Sequence, residues 1–157
     1  MGVMVMTKTG DKGNTGVFNQ RVEKDSVLVE TLGTLDEAMC AIILMQAESS
    51  LDRLEWEPII QDLIHICSII AGFPVKNFDL NERVTALETA IEAKHAAFSG
   101  FIYPFDDPRK ARIHWTRTIV RRAERQCIRL HKQQELSLEL LVYMNRLSDF
   151  IFIHLND

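Results

Sequence analysis

A run of basic residues in the second half of the chain is the clearest candidate for binding chemistry. Residues 117–125 read Arg-Thr-Ile-Val-Arg-Arg-Ala-Glu-Arg, so Arg117, Arg121 and Arg125 share one face if the segment is helical. Like charges at this spacing repel, and carboxylates or a bound anion relieve the repulsion. The planar guanidinium can donate two hydrogen bonds at once, which suits phosphate. From spacing alone, an anion site and a solvated basic face paired with Glu residues both stay open.

A glycine-rich segment near the N-terminus is the second candidate. Residues 7–16 read Thr-Lys-Thr-Gly-Asp-Lys-Gly-Asn-Thr-Gly, and this composition excludes a regular helix or a core strand. Glycines let backbone N–H groups approach phosphate oxygens, and Lys8 and Lys12 add positive charge. The Gly-Lys-Ser/Thr of a Walker A motif is missing. The segment is therefore either a phosphate-binding loop or a flexible tail.

Polar residues also interrupt two apolar helical patterns. Asn145 and Asp149 are four residues apart, so they share a face that either meets another polar face or lines a site. Asp36 and Glu37 lie among Leu, Met and Ile. They form either the solvent side of an amphipathic helix or a surface opposite the arginines.

The periodicity of apolar residues predicts the elements that position these candidates. Asp79 with Glu82 resembles a capping box at one helix start, and Pro58 is placed in the first turn of another. No segment shows a convincing strand period. The predicted fold class is all-α, an antiparallel five-helix bundle preceded by the glycine-rich loop. The predicted helices cover about residues 26–50, 57–72, 80–98, 109–132 and 135–155.

Length and composition fit one globular domain. The 157 residues are 46% hydrophobic and 25% charged, which is enough for a core without metal or disulfide staples. We expect a single domain over residues 1–157, with an N-terminal segment 1–25 and a helix bundle 26–157. The net charge of −4 gives no general case for nucleic-acid binding. No apolar stretch is long enough to span a membrane.

The cysteines, histidines and tryptophans suggest structural roles. Cys40, Cys67 and Cys127 are far apart in apolar patterns, which predicts buried thiols in a reducing compartment. The histidines show no HxxH or HExxH spacing, so no protein metal ligands are assigned. Trp56 and Trp115 are interpreted as packing residues. We expect a cytoplasmic location, because no signal peptide is recognisable.

Four segments together resemble the PduO-type ATP:cob(I)alamin adenosyltransferases, a family of ATP:corrinoid adenosyltransferases. The family's Thr-Arg/Lys-Thr-Gly-Asp-x-Gly opening is matched by residues 7–13, and its Gly-Thr-x-Asp-Glu segment by residues 33–37. Its Arg-Thr-x-x-Arg-Arg-Ala-Glu-Arg helix is matched by residues 117–125, and its Asn-Arg-Leu-Ser-Asp segment by residues 145–149. Each motif alone is weak, but four in order across nearly the whole chain are specific.

The resemblance implies a transferase that moves the 5′-deoxyadenosyl group of ATP to the cobalt of cob(I)alamin, giving adenosylcobalamin and triphosphate. It implies a homotrimer with active sites between neighbouring subunits and a nucleotide-binding role for the glycine-rich loop. Mg²⁺ is expected to be bound mainly through the ATP phosphates. A cob(II)alamin reductase and a B12-dependent enzyme are the expected protein partners, whereas nucleic acid and membranes are not.

The resemblance also implies roles for individual residues. Arg117, Arg121 and Asp36 form the catalytic set, in which Asp36 pairs with Arg117 of a neighbouring subunit. Phe101 falls where the family places an aromatic residue against the lower face of the corrinoid. The residues implied to bind ATP are Thr7, Lys8, Thr9, Gly10, Thr15, Gly16, Lys24, Arg121, Arg122, Glu124, Arg125 and Asn145.

Two segments depart from the family pattern. Pro104-Phe105-Asp106 stands where Pro-Gly-Gly is usual, which predicts another loop shape on the corrinoid side. Thr15-Gly16 stands where two hydroxyl residues are common. Two alternatives stay open: a non-catalytic ATP- or corrinoid-binding chaperone or sensor on the same fold, and a helical interaction protein whose arginine face binds an acidic partner. Turnover with cob(I)alamin distinguishes the enzyme from the chaperone or sensor. Affinity for a nucleotide distinguishes the enzyme from the interaction protein.

Overall fold

Five α-helices dominate the computed structural model, which describes residue 6, residues 8–94, residue 100 and residues 103–156. A short 3₁₀ turn, His154–Asn156, follows the last helix. The predicted all-α helix bundle is confirmed. The helices are α1 Val27–Ser49, α2 Arg53–Ala71, α3 Leu80–Ala93, α4 Pro108–His131 and α5 Leu138–Ile153.

Side-chain caps set where the helices begin, because each cap accepts a hydrogen bond from a backbone N–H of the first turn. Asp52 caps α2, so this helix begins four residues earlier than predicted and Pro58 lies in its second turn rather than its first. Asp79 accepts from two backbone N–H groups at the start of α3, one of them that of Glu82. Ser137 caps α5, which delays its start by three residues. Ser26 and Asp107 cap α1 and α4.

The N-terminal segment contains a β-hairpin that the sequence analysis missed. Strands β1 (Asn14–Val17) and β2 (Gln20–Glu23) pair antiparallel, with Asn14 opposite Glu23. Within it only Val17 is buried, so strands of four residues give no readable two-residue period. Phe18 in the turn contacts Phe73 beyond the end of α2, with ring centroids 4.4 Å apart. This contact holds the hairpin on the bundle.

The helices bury one continuous core. In it, α1 packs against α4 and α2, and α5 packs against α4 and α3. A buried polar contact joins three of these helices: Tyr143 of α5 donates to Asp62 of α2 over 2.9 Å, and Arg83 of α3 binds the same carboxylate at 2.8 Å. Burial, reinforced by Asp62, raises the pKa of Tyr143 well above its ordinary value. The phenol therefore acts as a hydrogen-bond donor.

Three expectations about packing need comment. Trp56 is buried, as predicted, but Trp115 is 43% exposed and lies under the guanidinium of Arg112, 5.0 Å from the ring centroid. Cys127 is buried, Cys67 is half-buried and Cys40 is exposed, so the prediction of three buried thiols is wrong for Cys40. Its position on the outer side of α1 explains the error. Within the described ranges, no helix is long and apolar enough to cross a membrane.

Candidate active site

The arginine run lies on α4 and presents two faces. The guanidinium of Arg121 lies beside Glu124 one turn further along, with Nη1 and Oε2 3.9 Å apart. Arg122 points the other way and forms an ion pair with Glu37 of α1. Arg125 is exposed. The run therefore divides into an outward face and one side chain that fastens α4 to α1.

The polar patch of α5 meets this basic face of α4. Asn145 Nδ2 donates to Glu124 Oε1 over 3.0 Å. The charge of Asp149 acts on both Arg117 and Arg121. The patch thus meets another polar face, and it does so beside the arginines.

Burial shifts the pKa values of an acidic and a basic group of this face in opposite directions. It lowers the pKa of Arg117, an effect that neighbouring Arg121 adds to and Asp149 opposes. Burial also raises the pKa of Asp149, against the opposing effects of Arg146 and Arg121. Partial burial thus disfavours the charged form of Arg117, whereas Arg121 and Asp149 are exposed residues. An anion held against Arg117 and Arg121 would favour the charged form of Arg117.

The glycine-rich loop folds back on the hairpin that follows it. The Gly13 N–H donates to the Gly10 carbonyl over 3.3 Å, and the Lys24 N–H donates to the Gly13 carbonyl over 2.8 Å. Gly13 has a φ of 85°, where glycine is favoured. A Cβ placed on Gly10 would lie 3.1 Å from Lys24 Nζ. Glycine thus lets the Lys24 amine approach the loop backbone closely.

Arg21 of β2 clamps this loop. Its Nη2 donates to the Thr9 carbonyl over 2.7 Å and lies 3.4 Å from the Asn14 carbonyl. Thr15 and Gly16 lie in β1, opposite Val22 and Arg21. The hairpin therefore brings Lys24 and Arg21 beside the backbone of residues 9–14, and the exposed Lys8 precedes that stretch.

Within one chain, Asp36 lies on the α2 side of α1. Its charge acts on Cys67 of α2, where burial in the first place, and Asp36 in the second, raise the pKa of the thiol to about 11. Arg117 instead lies against α5, with Cζ 5.9 Å from the centroid of the Phe152 ring. One chain thus places Asp36 on the α1–α2 side and Arg117 on the α4–α5 side.

Two predicted site residues, Thr7 and Phe101, lie outside the described residues. The loop after Phe101 is described from Tyr103, whose ring makes an edge contact with His114 of α4 at 6.5 Å between centroids. Phe105 is 93% exposed. Across the described ranges, no cluster of three or more His, Cys, Asp or Glu could hold a metal ion.

Sequence reasoning missed two polar residues around these clusters, whereas Glu37 lies opposite an arginine of α4, one of the two positions that the sequence left open for it. Arg21 was passed over because its segment lacks periodicity, and because the turn residues Phe18 and Asn19 are not one of the glycine-containing pairs that mark a two-residue hairpin. Glu88, the second, binds Arg146 at 2.8 Å. Long-range ion pairs of this kind leave no signal in a single sequence.

Comparison with known proteins gives one consistent answer. The family model described as cobalamin adenosyltransferase matches residues 5–156. The corrinoid adenosyltransferase of Bacillus subtilis (strain 168) is 39% identical over 93% of this chain and 81% of its own length. The corrinoid adenosyltransferase PduO of Salmonella typhimurium is 34% identical over 94% of this chain. The chain spans about half of that longer relative, 47% of its length.

Solved structures agree with the sequence relatives. A variant of the PduO-type ATP:corrinoid adenosyltransferase from Lactobacillus reuteri, complexed with cobalamin and ATP, superposes with a TM-score of 0.83 at 28% identity, over 97% of this chain and 89% of that one. Another variant of the L. reuteri enzyme, complexed with ATP, gives a TM-score of 0.84 at 27% identity, over 97% and 92%. The predicted family and the predicted transferase class are confirmed. The chain belongs to the cobalamin adenosyltransferase family.

Proposed function

We propose that this chain transfers the 5′-deoxyadenosyl group of ATP to the cobalt of cob(I)alamin, giving adenosylcobalamin and triphosphate. The observation that carries the proposal is the α4 face on which Arg117 and Arg121 lie beside Asn145 and Asp149 of α5. In a chain of this family, that face has the chemistry needed to hold a triphosphate.

The reaction makes limited demands on the protein. Cob(I)alamin is itself a strong nucleophile, and it attacks the 5′ carbon of ATP while triphosphate leaves. The protein must hold cobalt and carbon in line and stabilise the negative charge that builds up on the leaving group. Arg121 suits the second task, because its fork can donate two hydrogen bonds to phosphate oxygens. Arg117 and the exposed Arg125 extend the same positive surface.

The glycine-rich loop supplies the other half of the proposed nucleotide site. Thr9 and Gly10 offer backbone, and Lys8 and Lys24 offer positive charge beside it. Thr7, Thr15 and Gly16 flank this stretch. Mg²⁺ would be held mainly by the phosphate oxygens of ATP, so the proposed site needs no cage of protein ligands.

The relatives support two residue assignments. Two L. reuteri structures complexed with cobalamin and ATP carry an exchanged phenylalanine, and one complexed with ATP carries an exchanged arginine. In the L. reuteri enzyme, the exchanged phenylalanine precedes the exchanged arginine by a certain number of residues. Phe101 precedes Arg121 in this chain by the same number. The equal spacing supports Phe101 as the corrinoid-side aromatic residue and Arg121 as the ATP-side arginine.

We further propose a homotrimer whose sites lie between subunits. The outer face of α1 and α2 is apolar: Ile43 is 53% exposed and Ile64 is 42% exposed. A groove of about 320 Å³ lies there between Leu32 of α1 and Phe73 beyond α2. Asp36 lies at this face, so a second copy seated on it could bring its Arg117 to Asp36.

Assembly is tested by light scattering coupled to gel filtration. We expect the mass of a trimer for the wild-type protein. Ile64→Glu should lower this mass, because it places a charge on the face that a second copy would bury. Leu54→Glu is the matched control, since Leu54 is 77% exposed near the start of α2 and outside the groove. A stable monomer with full activity would refute the shared-site proposal.

Activity is tested by anaerobic mixing with chemically reduced cobalamin and Mg-ATP, followed by absorbance. The proposal predicts ATP-dependent loss of the cob(I)alamin spectrum over many turnovers. ATP or corrinoid binding without turnover would indicate the chaperone or sensor instead. No affinity for either would indicate an interaction protein. A reductase partner and a cytoplasmic location stay predictions.

A further inference from the structure

A line of polar contacts runs from the arginine face of α4, through α5, to α3. It starts at Glu124, which lies beside Arg121 and accepts a hydrogen bond from Asn145 Nδ2 over 3.0 Å. Arg146 Nη1 donates to Asn145 Oδ1 over 3.0 Å. Arg146 Nε donates to Glu88 Oε1 over 2.8 Å. Three helices thus contribute to one connected set.

The chemistry of its neighbours fixes the direction of the Asn145 amide. The Arg146 guanidinium can only donate, so it must face the amide oxygen. The Glu124 carboxylate accepts, so it must face the amide nitrogen. A flipped amide would set oxygen against carboxylate and NH₂ against guanidinium. Arg146 and Glu124 together therefore hold one of the two amide orientations.

Glu88 in turn fixes Arg146. The guanidinium uses two different nitrogens, Nε toward Glu88 and Nη1 toward Asn145. The rigid fork joins these contacts, so the position of one determines that of the other. Arg146 is 37% exposed and Glu88 is 42% exposed, so their ion pair adds little stability by itself. We therefore expect the ion pair to matter for the orientation of the Arg146 side chain and to contribute little to the free energy of unfolding.

We infer that Glu88 is a positioning residue for ATP, acting through Arg146 to orient the amide of Asn145 and the carboxylate of Glu124 beside Arg121. This inference rests on the proposed function, because it assigns Asn145 to the nucleotide site. Glu88 lies on α3, outside all four motifs that carry the family resemblance. Its side chain binds Arg146 of α5, which in turn contacts Asn145.

The test compares Glu88→Ala and Glu88→Gln with a matched pair elsewhere. Glu48 binds Arg112 Nε at 2.6 Å between α1 and α4 and is 47% exposed, so Glu48→Ala removes a similar ion pair away from the network. We expect Glu88→Ala to raise the KM for ATP about three- to tenfold, as loss of one or two oriented hydrogen bonds would. Glu88→Gln keeps an acceptor and should show a smaller rise. The KM for cobalamin and the unfolding midpoint should match those of Glu48→Ala.

A double-mutant cycle then asks whether Glu88 acts through Asn145. If it does, Glu88→Ala has no further effect on the KM for ATP in an Asn145→Ala background. Equal KM values for Glu88→Ala and Glu48→Ala, or effects that multiply in the double variant, would overturn the inference. Either result with an active wild-type enzyme leaves the proposed function intact. A wild-type protein without adenosylation would instead remove the proposed function itself.

Discussion

Arg121 and Glu124 lie one turn apart on α4, and the 3.9 Å between Nη1 and Oε2 is too long for a hydrogen bond. The carboxylate is 12% exposed and turned toward Asn145, whereas the guanidinium is 46% exposed. Glu124 therefore places a compensating charge near Arg121 without occupying its fork. That arrangement leaves the fork available to a phosphate.

Arg121→Ala should lower catalytic efficiency with ATP by roughly one to two decades, because a charge-assisted bidentate contact contributes about 1.5–3 kcal/mol. Arg121→Lys keeps the charge but loses the fork, so it should stay clearly impaired. Steady-state kinetics at limiting ATP measures both. Arg112→Lys, on the same helix but paired with Glu48, is the control and should be nearly silent. Wild-type rates in folded Arg121→Ala would show that this face is a solvated surface.

Arg21→Ala should weaken ATP binding while leaving the bundle intact. The substitution removes the donor that bridges the Thr9 and Asn14 carbonyls, so the loop loses the conformation that we propose for the nucleotide. We expect a several-fold rise in Kd for Mg-ATP by calorimetry, on the order of one hydrogen bond, and an unfolding midpoint close to wild type. Arg53→Ala removes an arginine whose side chain is 76% exposed and is the control. Unchanged ATP affinity in Arg21→Ala would show that the clamp has no part in binding.

Tyr143→Phe should destabilise the fold by about 1–2 kcal/mol, because it removes a donor from the buried Asp62 carboxylate. Arg83 still binds that carboxylate, which limits the loss. Tyr103→Phe is the matched control: its side chain is 71% exposed, and its effect should stay within about 0.5 kcal/mol. Urea denaturation measures both. Equal stability of the two variants would mean that the Tyr143 hydroxyl contributes nothing to the three-helix contact.

Asp149→Asn should stabilise the ligand-free protein at neutral pH. The folded-state pKa of Asp149 is raised by burial, so the folded protein holds this proton more tightly than the unfolded chain. Stability from this group is therefore present at low pH and is lost as pH rises through the folded-state pKa. Unfolding midpoints at pH 7 and pH 4 should show a gain for Asp149→Asn that shrinks at the lower pH. A variant less stable than wild type at pH 7 would show that attraction to the arginines outweighs burial.

Much of the fold could be predicted because helices of 14 to 24 residues carry their period in the sequence. The predicted helix boundaries were wrong where a capping side chain sets the start of the helix, as Asp52 and Ser137 do. The hairpin was not predicted, because it buries one residue and depends on the contact of Phe18 with Phe73. Those two phenylalanines are far apart in sequence, and nothing local predicts that they meet.

The site was predictable to the extent that its residues repeat along one helix. The spacing placed Arg117, Arg121 and Arg125 together on α4, but it could not show that Arg122 turns to Glu37. Family resemblance, not periodicity, supplied the roles of the remaining site residues. Contacts between distant helices, such as that of Glu88 with Arg146, follow from the packing and appear only in the structure.

The products of one anaerobic incubation test the central claim most directly. Purified protein is mixed with cob(I)alamin and Mg-ATP, and corrinoid and phosphate products are separated by chromatography. The proposed reaction predicts light-sensitive adenosylcobalamin and triphosphate in equal amounts, because cobalt attacks the 5′ carbon and the triphosphate leaves whole. The Arg121→Ala variant should form much smaller amounts of both products. Persistence of cob(I)alamin, or release of phosphate or ADP without adenosylcobalamin, would contradict adenosyl transfer by this chain.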